Sequence, residues 1–107
     1  GGHRVDCNQL TNLVNKESAC LVDVRPKSEF ETGAIAGSIN IPFEELDNRN
    51  DELLKAKENP LVLICKMGRN AALAGEKMQK YGYNKTHVLK GGITTWQQEG
   101  LPLVKVK

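Results

Sequence analysis

The sequence predicts one α/β domain, with a largely parallel sheet covered by helices on both faces. Three observations carry that reading. Short branched or apolar runs alternate with segments whose apolar residues recur at helical spacing. The run Leu61-Val62-Leu63-Ile64 is apolar at every position, as a strand buried on both sides requires. The 107 residues suffice for one core and are too few for two ordinary domains, so residues 1–107 form a single unit.

The elements follow in order. Gly1, Gly2, His3 and Arg4 read as a cloning remnant or linker. Asp6 and Gln9 have the spacing of a capping box, and Leu10, Leu13 and Val14 share a face, giving a helix of about two to three turns. Residues 19–24 are a buried strand, and Pro26 stops its ladder and starts a new turn. A short helix over 28–32 closes at Gly33, which suits a left-handed C-terminal position. Residues 38–42 form a brief strand ended by Pro42. Phe43, Leu46, Leu53, Leu54 and Ala56 then lie among charges, predicting one interrupted helix or two short ones over 43–57. The strand at 61–64 is followed by a helix at 69–80 that ends at Tyr81 and Gly82, then by a strand at 86–89. Gly91 and Gly92 turn the chain into a last helix at 93–99, stopped by Gly100 and Pro102.

Composition narrows the function. No apolar run approaches a membrane span, and the first residues lack the apolar centre of a signal peptide. Cys7, Cys20 and Cys65 are an odd set without a C-x-x-C pair, which argues for reduced thiols in a cytoplasmic setting and against a disulfide scaffold or a zinc site. Cys20 lies in an apolar run and reads as packing, and Cys7 opens a helix with no motif around it. Residues 1–60 hold seven Lys and Arg against eleven Asp and Glu, whereas residues 61–107 hold eight against two. The basic half steers a small anion, and nothing in it resembles the dense basic and aromatic interleaving of a nucleic-acid surface.

That basic half contains Cys65, delivered by an apolar strand into a Gly-containing turn at the start of a helix. The first amides of a helix lack internal partners and favour an anion, and Lys66 and Arg69 add positive charge nearby. A thiolate is favoured there, so Cys65 is the candidate nucleophile or sulfur carrier. In such sheets ligands bind beyond the carboxyl ends of the strands, which brings Asp23, Val24 and Arg25, Cys65, and Gly91 and Gly92 to one edge. His3 and His87 belong to no recognisable Cys-His pattern.

Three separated segments together resemble the rhodanese, or sulfurtransferase, family. They are Leu21 to Arg25 with Glu29, Phe30 and the stretch from Gly33 to Pro42; Cys65 to Arg69; and Leu89 to Gly92 with Trp96, Gly100 and Pro102. The resemblance spans nearly the whole chain. It implies an open, mainly parallel five-stranded sheet flanked by helices on both faces. It also implies that Cys65 accepts a sulfane sulfur from a donor such as thiosulfate, becomes a persulfide, and passes the outer sulfur to cyanide or a thiol, with no cofactor. Amides of Lys66, Met67, Gly68, Arg69, Asn70 and Ala71 would hold the persulfide and the donor's oxyanion, with Lys66 and Arg69 attracting the anionic donor.

Two positions depart from the family pattern. Asn70 stands where many members carry arginine, threonine or serine, with the arginine one position earlier at Arg69; Asn70 can cap the helix and donate to a persulfide. Ala34 stands where a histidine is common. Asp23 and Arg25, with Glu29, read as residues that fix the neighbouring loop, and Trp96 as a core anchor. One rival is a cysteine phosphatase, but such enzymes resemble C-x5-R and this chain has C-x3-R, a loop better suited to a sulfane sulfur than to a tetrahedral phosphate. The other is a sulfur-relay or protein-interaction module whose acceptor is another protein's cysteine.

Overall fold

In the computed structural model, which describes residues 3–106, the chain runs β1 (His3–Val5), α1 (Cys7–Glu17), β2 (Cys20–Asp23), α2 (Lys27–Thr32), β3 (Ile39–Asn40), α3 (Leu46–Arg49), β4 (Leu61–Ile64), α4 (Arg69–Lys80), β5 (Thr86–Leu89) and α5 (Gly92–Gln98). The strands form one sheet in the order β1-β5-β4-β2-β3, and every pairing is parallel. In register, Leu63 of β4 lies between Val22 of β2 and Val88 of β5.

Strand alternation sorts the core into two layers. Leu61, Leu63 and Cys65 face one side with Val22, Val24 and Val88, against Leu46, Leu53, Ala71, Ala74 and Met78. Val62 and Ile64 face the other with Leu21 and Leu89, against Cys7, Leu10, Ile93 and Trp96. All four β4 side chains are 0 % exposed, and each such burial stabilises by about 1.5–3 kcal/mol.

The strand order explains which helix covers which face. Connections from β1 to β2 and from β2 to β3 advance in one direction along the sheet, whereas those from β3 to β4 and from β4 to β5 advance in the other. Right-handed crossovers then put α1 on one face and α3 and α4 on the opposite one. The chain therefore leaves β2 and β4, which are neighbours, in opposite directions. Their carboxyl ends flank a crevice.

Several sequence expectations meet the structure closely. Asp6 Oδ1 accepts the Gln9 N–H at 2.7 Å and Gln9 Oε1 accepts the Asp6 N–H at 2.8 Å, the predicted capping box. The region 43–57 is interrupted as expected, with 3₁₀ segments at Phe43–Glu45 and Asn50–Ala56 on either side of α3. Other expectations are corrected. His3 and Arg4, read as remnant or linker, are two of the three residues of β1, paired with His87 and Val88, while Gly1 and Gly2 lie outside the described residues. Gly33 ends α2 at φ 165°, an extended rather than a left-handed backbone, because the chain runs straight into an antiparallel bridge between Ala34 and Val104. Both N–H···O bonds of that bridge are 2.8 Å, and Trp96 Nε1 donates to the Pro102 carbonyl at 2.9 Å, so the C-terminal tail is strapped across the base of α2. Trp96, 7 % exposed, is the predicted core anchor. Among the described residues, no helix is long and apolar enough to cross a membrane.

Candidate active site

Cys65 is the first residue beyond β4 and continues its alternation, so its side chain turns toward α4 and is 5 % exposed. The chain must then reverse within three residues to begin α4. Gly68 does this at φ 105°, a left-handed conformation that favours glycine. The reversal aims main-chain donors at sulfur: Cys65 Sγ accepts the N–H of Gly68 at 2.9 Å and that of Ala71 at 3.3 Å. These are amides that a helix start leaves without internal partners, and they stabilise negative charge on the sulfur.

The carbonyls of the same turn are held from the opposite side. Ile93 donates its N–H to the Cys65 carbonyl at 2.9 Å, and Thr94 donates to the Lys66 carbonyl at 3.0 Å. The start of α5 thus satisfies the acceptors of the turn while the start of α4 directs donors to sulfur. Gly91 (φ 75°) and Gly92 (φ 59°) bring α5 close enough for this. Sequence reading placed that glycine pair at the same edge as Cys65 but not the hydrogen bonds that join them, because those join segments distant in the chain.

The facing wall comes from the end of β2. Asp23 is 0 % exposed and Arg25 7 %, and the two form a bidentate pair: Arg25 Nη2 reaches Asp23 Oδ2 at 2.9 Å and Arg25 Nε reaches Oδ1 at 3.1 Å. Asp23 Oδ1 also accepts the Arg25 N–H at 3.0 Å, and Arg25 Nη2 donates to the Gly33 carbonyl at 2.7 Å. Asn40 Nδ2 donates to the carbonyls of Asp23 and Arg25 at 3.0 and 2.9 Å. A buried charge pair is tolerated because Arg25 Nε and Nη2 and both Asp23 carboxylate oxygens are hydrogen-bonded, and it fixes the loop as a rigid wall. Arg25 is anchored by Asp23 and Gly33 rather than by Glu29.

Between these walls lies a cleft of about 370 Å³, with Cys65, Lys66, Met67, Arg69 and Asn70 on one side and Arg25, Pro26 and Glu29 on the other. Lys66, Met67, Arg69 and Asn70 are exposed, Gly68 is half-buried and Ala71 is buried. Asn70 does not cap the helix: Gly68 occupies that position with no side-chain cap, and Asn70 is the second residue of α4. Ala34 is 0 % exposed beneath the tail, where its N–H and carbonyl pair with Val104. Glu29, which sequence reading grouped with Asp23 and Arg25 as fixing the loop, instead lines the rim of the cleft. Burial, reinforced by the Glu99 and Asp6 carboxylates, pushes the Cys7 thiol up, and burial alone pushes up that of Cys20.

Comparison with known proteins agrees with this geometry. A family profile described as Rhodanese-like domain matches residues 6–99. The uncharacterized protein YibN of Escherichia coli K12 is 39% identical over 100 residues, covering 92% of this chain and 70% of YibN. A protein named sulfurtransferase in Allochromatium vinosum is 29% identical, with 95% of this chain and 94% of that one covered. Among solved structures, a rhodanese-related protein of Thermoplasma volcanium superposes with a TM-score of 0.84 at 30% identity, over 95% of this chain and 97% of that one. With its five-stranded parallel sheet, its cysteine at the β4–α4 turn and a family match over most of its length, the chain belongs to the rhodanese-like domain family.

Proposed function

We propose that the protein is a sulfurtransferase that carries a sulfane sulfur on Cys65. The observation that supports this best is the pair of N–H donors, from Gly68 and Ala71, converging on Cys65 Sγ at the floor of a cleft with two cations at its mouth. In the first step the Cys65 sulfur attacks the outer sulfur of a donor such as thiosulfate; the donor S–S bond breaks and sulfite leaves with the electron pair. In the second, cyanide or a thiolate attacks the outer sulfur of the Cys65 persulfide, and the electron pair returns to Cys65 Sγ. Both steps exchange sulfur between nucleophiles and call for no cofactor. The two amides hold the anion in each state, and Lys66 and Arg69 attract a charged donor. The free thiols suit a reducing compartment, which in this reading is the cytoplasm.

Mass mapping after incubation with thiosulfate tests the reading. One added sulfur atom should fall on Cys65, disappear with reductant, and be absent in Cys65→Ser. Sulfur found mainly on Cys7 or Cys20 defeats the assignment.

A relay reading, in which the acceptor is a cysteine of another protein, is favoured by Met67, an apolar side chain 69 % exposed at the cleft mouth. Faster transfer to protein thiols than to cyanide supports relay; the reverse supports a small-molecule enzyme.

A further inference from the structure

Beside the Cys65 cleft, on the far side of the turn, runs a second and larger groove of about 620 Å³. Met67 and Arg69 border both, and Gly68 between them lines the groove, so this stretch of the turn forms a ridge between groove and cleft. From this ridge the Gly68 N–H reaches Cys65 Sγ at 2.9 Å, which puts the groove one residue's width from the reactive sulfur. Its other walls include Arg4 from β1, Leu73 from α4 and Lys90 just beyond β5.

Charge and polarity in the groove are uneven. Arg4, Arg69 and Lys90 face a single carboxylate, Glu76. None of the three enters the ion pairs formed among the described residues, which tie Arg25 to Asp23, Arg49 to Glu45 and Glu52, and Lys77 to Asp47. Between these cations lie two exposed apolar side chains, Met67 at 69 % and Leu73 at 45 %. Unpaired cations around an apolar strip complement an acidic peptide that carries an apolar residue. No aromatic residue lines the groove, so it lacks the stacking platform of a single-stranded nucleic-acid site.

We infer that this groove docks an acidic, apolar-tipped segment of the acceptor protein and delivers that segment's thiol over the Met67–Arg69 ridge to the sulfur on Cys65. The inference rests on the sulfur-transfer reading and names its acceptor. In the step itself the segment's thiolate attacks the outer sulfur of the Cys65 persulfide. A new S–S bond forms on the segment, the bond to Cys65 Sγ breaks, and Sγ leaves with the electron pair, so one thiolate and one persulfide are exchanged and no oxidant is consumed.

The experiment compares sulfur transfer from the preloaded protein to three thiols: a peptide of three aspartates, a leucine and a terminal cysteine; its lysine counterpart; and 2-mercaptoethanol. At low salt the acidic peptide should react about tenfold faster than the basic one, and the advantage should shrink at high salt. The double variant Arg4→Glu with Lys90→Glu should remove that preference while transfer to 2-mercaptoethanol stays within about twofold, and Leu73→Asp, on a separate exposed site, should act in the same direction. Equal rates for the two peptides, or a preference that survives charge reversal, overturn the inference. A parallel measurement needs no sulfur chemistry: a fluorescent acidic peptide with serine in place of cysteine should bind Cys65→Ser protein and lose affinity in the charge-reversed background. If no persulfide forms on Cys65, the transfer reading fails while this arm still decides the groove. Absence of peptide binding, or displacement of the peptide by oligouridylate in preference to unlabelled peptide, overturns the docking assignment.

Discussion

A β-carbon added to Gly92 would stand 2.3 Å from the carbonyl oxygen of Cys65 and 2.6 Å from that of Lys66. Both atoms are main chain, and both belong to the turn that carries Cys65 Sγ. Neither can rotate away.

Gly92→Ala should therefore disturb the site as well as the fold. Gly37, at φ 84° with nothing within 4 Å of an added β-carbon, is the natural control. Urea unfolding should give about 1–2 kcal/mol of destabilisation for Gly37→Ala, from left-handed strain alone. Gly92→Ala should cost about 3 kcal/mol or more, since backbone overlap adds to the strain. It should also slow persulfide formation in the fraction that remains folded. Equal costs at the two positions would mean that α5 yields freely.

Breaking the buried pair should be costly from either side. Asp23→Asn leaves the Arg25 guanidinium without its countercharge, and a loss of about 3–5 kcal/mol is expected in the same unfolding measurement. Arg25→Lys keeps the charge but loses the two-pronged geometry and the reach to Gly33, so it should be only partly tolerated. Full stability in Arg25→Lys would show that the fork is dispensable.

At the cleft mouth the effects should be kinetic. Lys66 and Arg69 are exposed, so each alanine replacement should lower kcat/KM for thiosulfate by only about threefold to tenfold, with the loss fading as salt rises. Asn70→Arg adds a cation to the same rim and should raise the ratio of kcat/KM for thiosulfate to that for a less charged persulfide donor. A folded variant with an unchanged ratio would assign the donor-orienting role to Arg69 instead.

Acid sensitivity should report on His87. Its Nδ1 is buried without a hydrogen-bond partner, and its ring meets that of His3 edge-on at 6.0 Å. Burial first, and His3 second, hold the imidazole below its ordinary value of 6.5, while Glu17 pulls the other way. The fold therefore favours the neutral ring, and the unfolded chain binds the proton more readily. Stability from this source is complete above about pH 6.5 and is lost as pH falls below it. The drop in Tm between pH 7.5 and 5.5 should be smaller in His87→Gln than in the parent chain. An identical drop would trace the sensitivity to other groups.

Much of this architecture was legible because its signals are local. The capping box of α1, the all-apolar β4, the bounds of α4 and the cysteine at their junction are each written within a dozen consecutive residues. β1 escaped notice because it has three residues and buries only Val5, too little for alternation to register. The tail bridge to Ala34 and the hold of α5 on the Cys65 turn depend on pairing across long stretches of chain, which no short motif encodes. Within the candidate site, sequence reading placed Cys65 at the strand-to-helix turn where the structure has it, but treated Asn70 as a cap. Gly68 already supplied the reversal, and the helix needed no side chain there.

The bridge between Ala34 and Val104 also bears on how the protein is handled. Its effects run by way of Gly33 to the Arg25 guanidinium, and from there to the wall opposite Cys65. A carboxypeptidase that trimmed past Val104 would strip two hydrogen bonds from Ala34 while leaving every residue of the cleft in the chain. Affinity tags and fluorophores joined to the tail are best set off by a flexible spacer, since tension applied there pulls on the wall of the cleft.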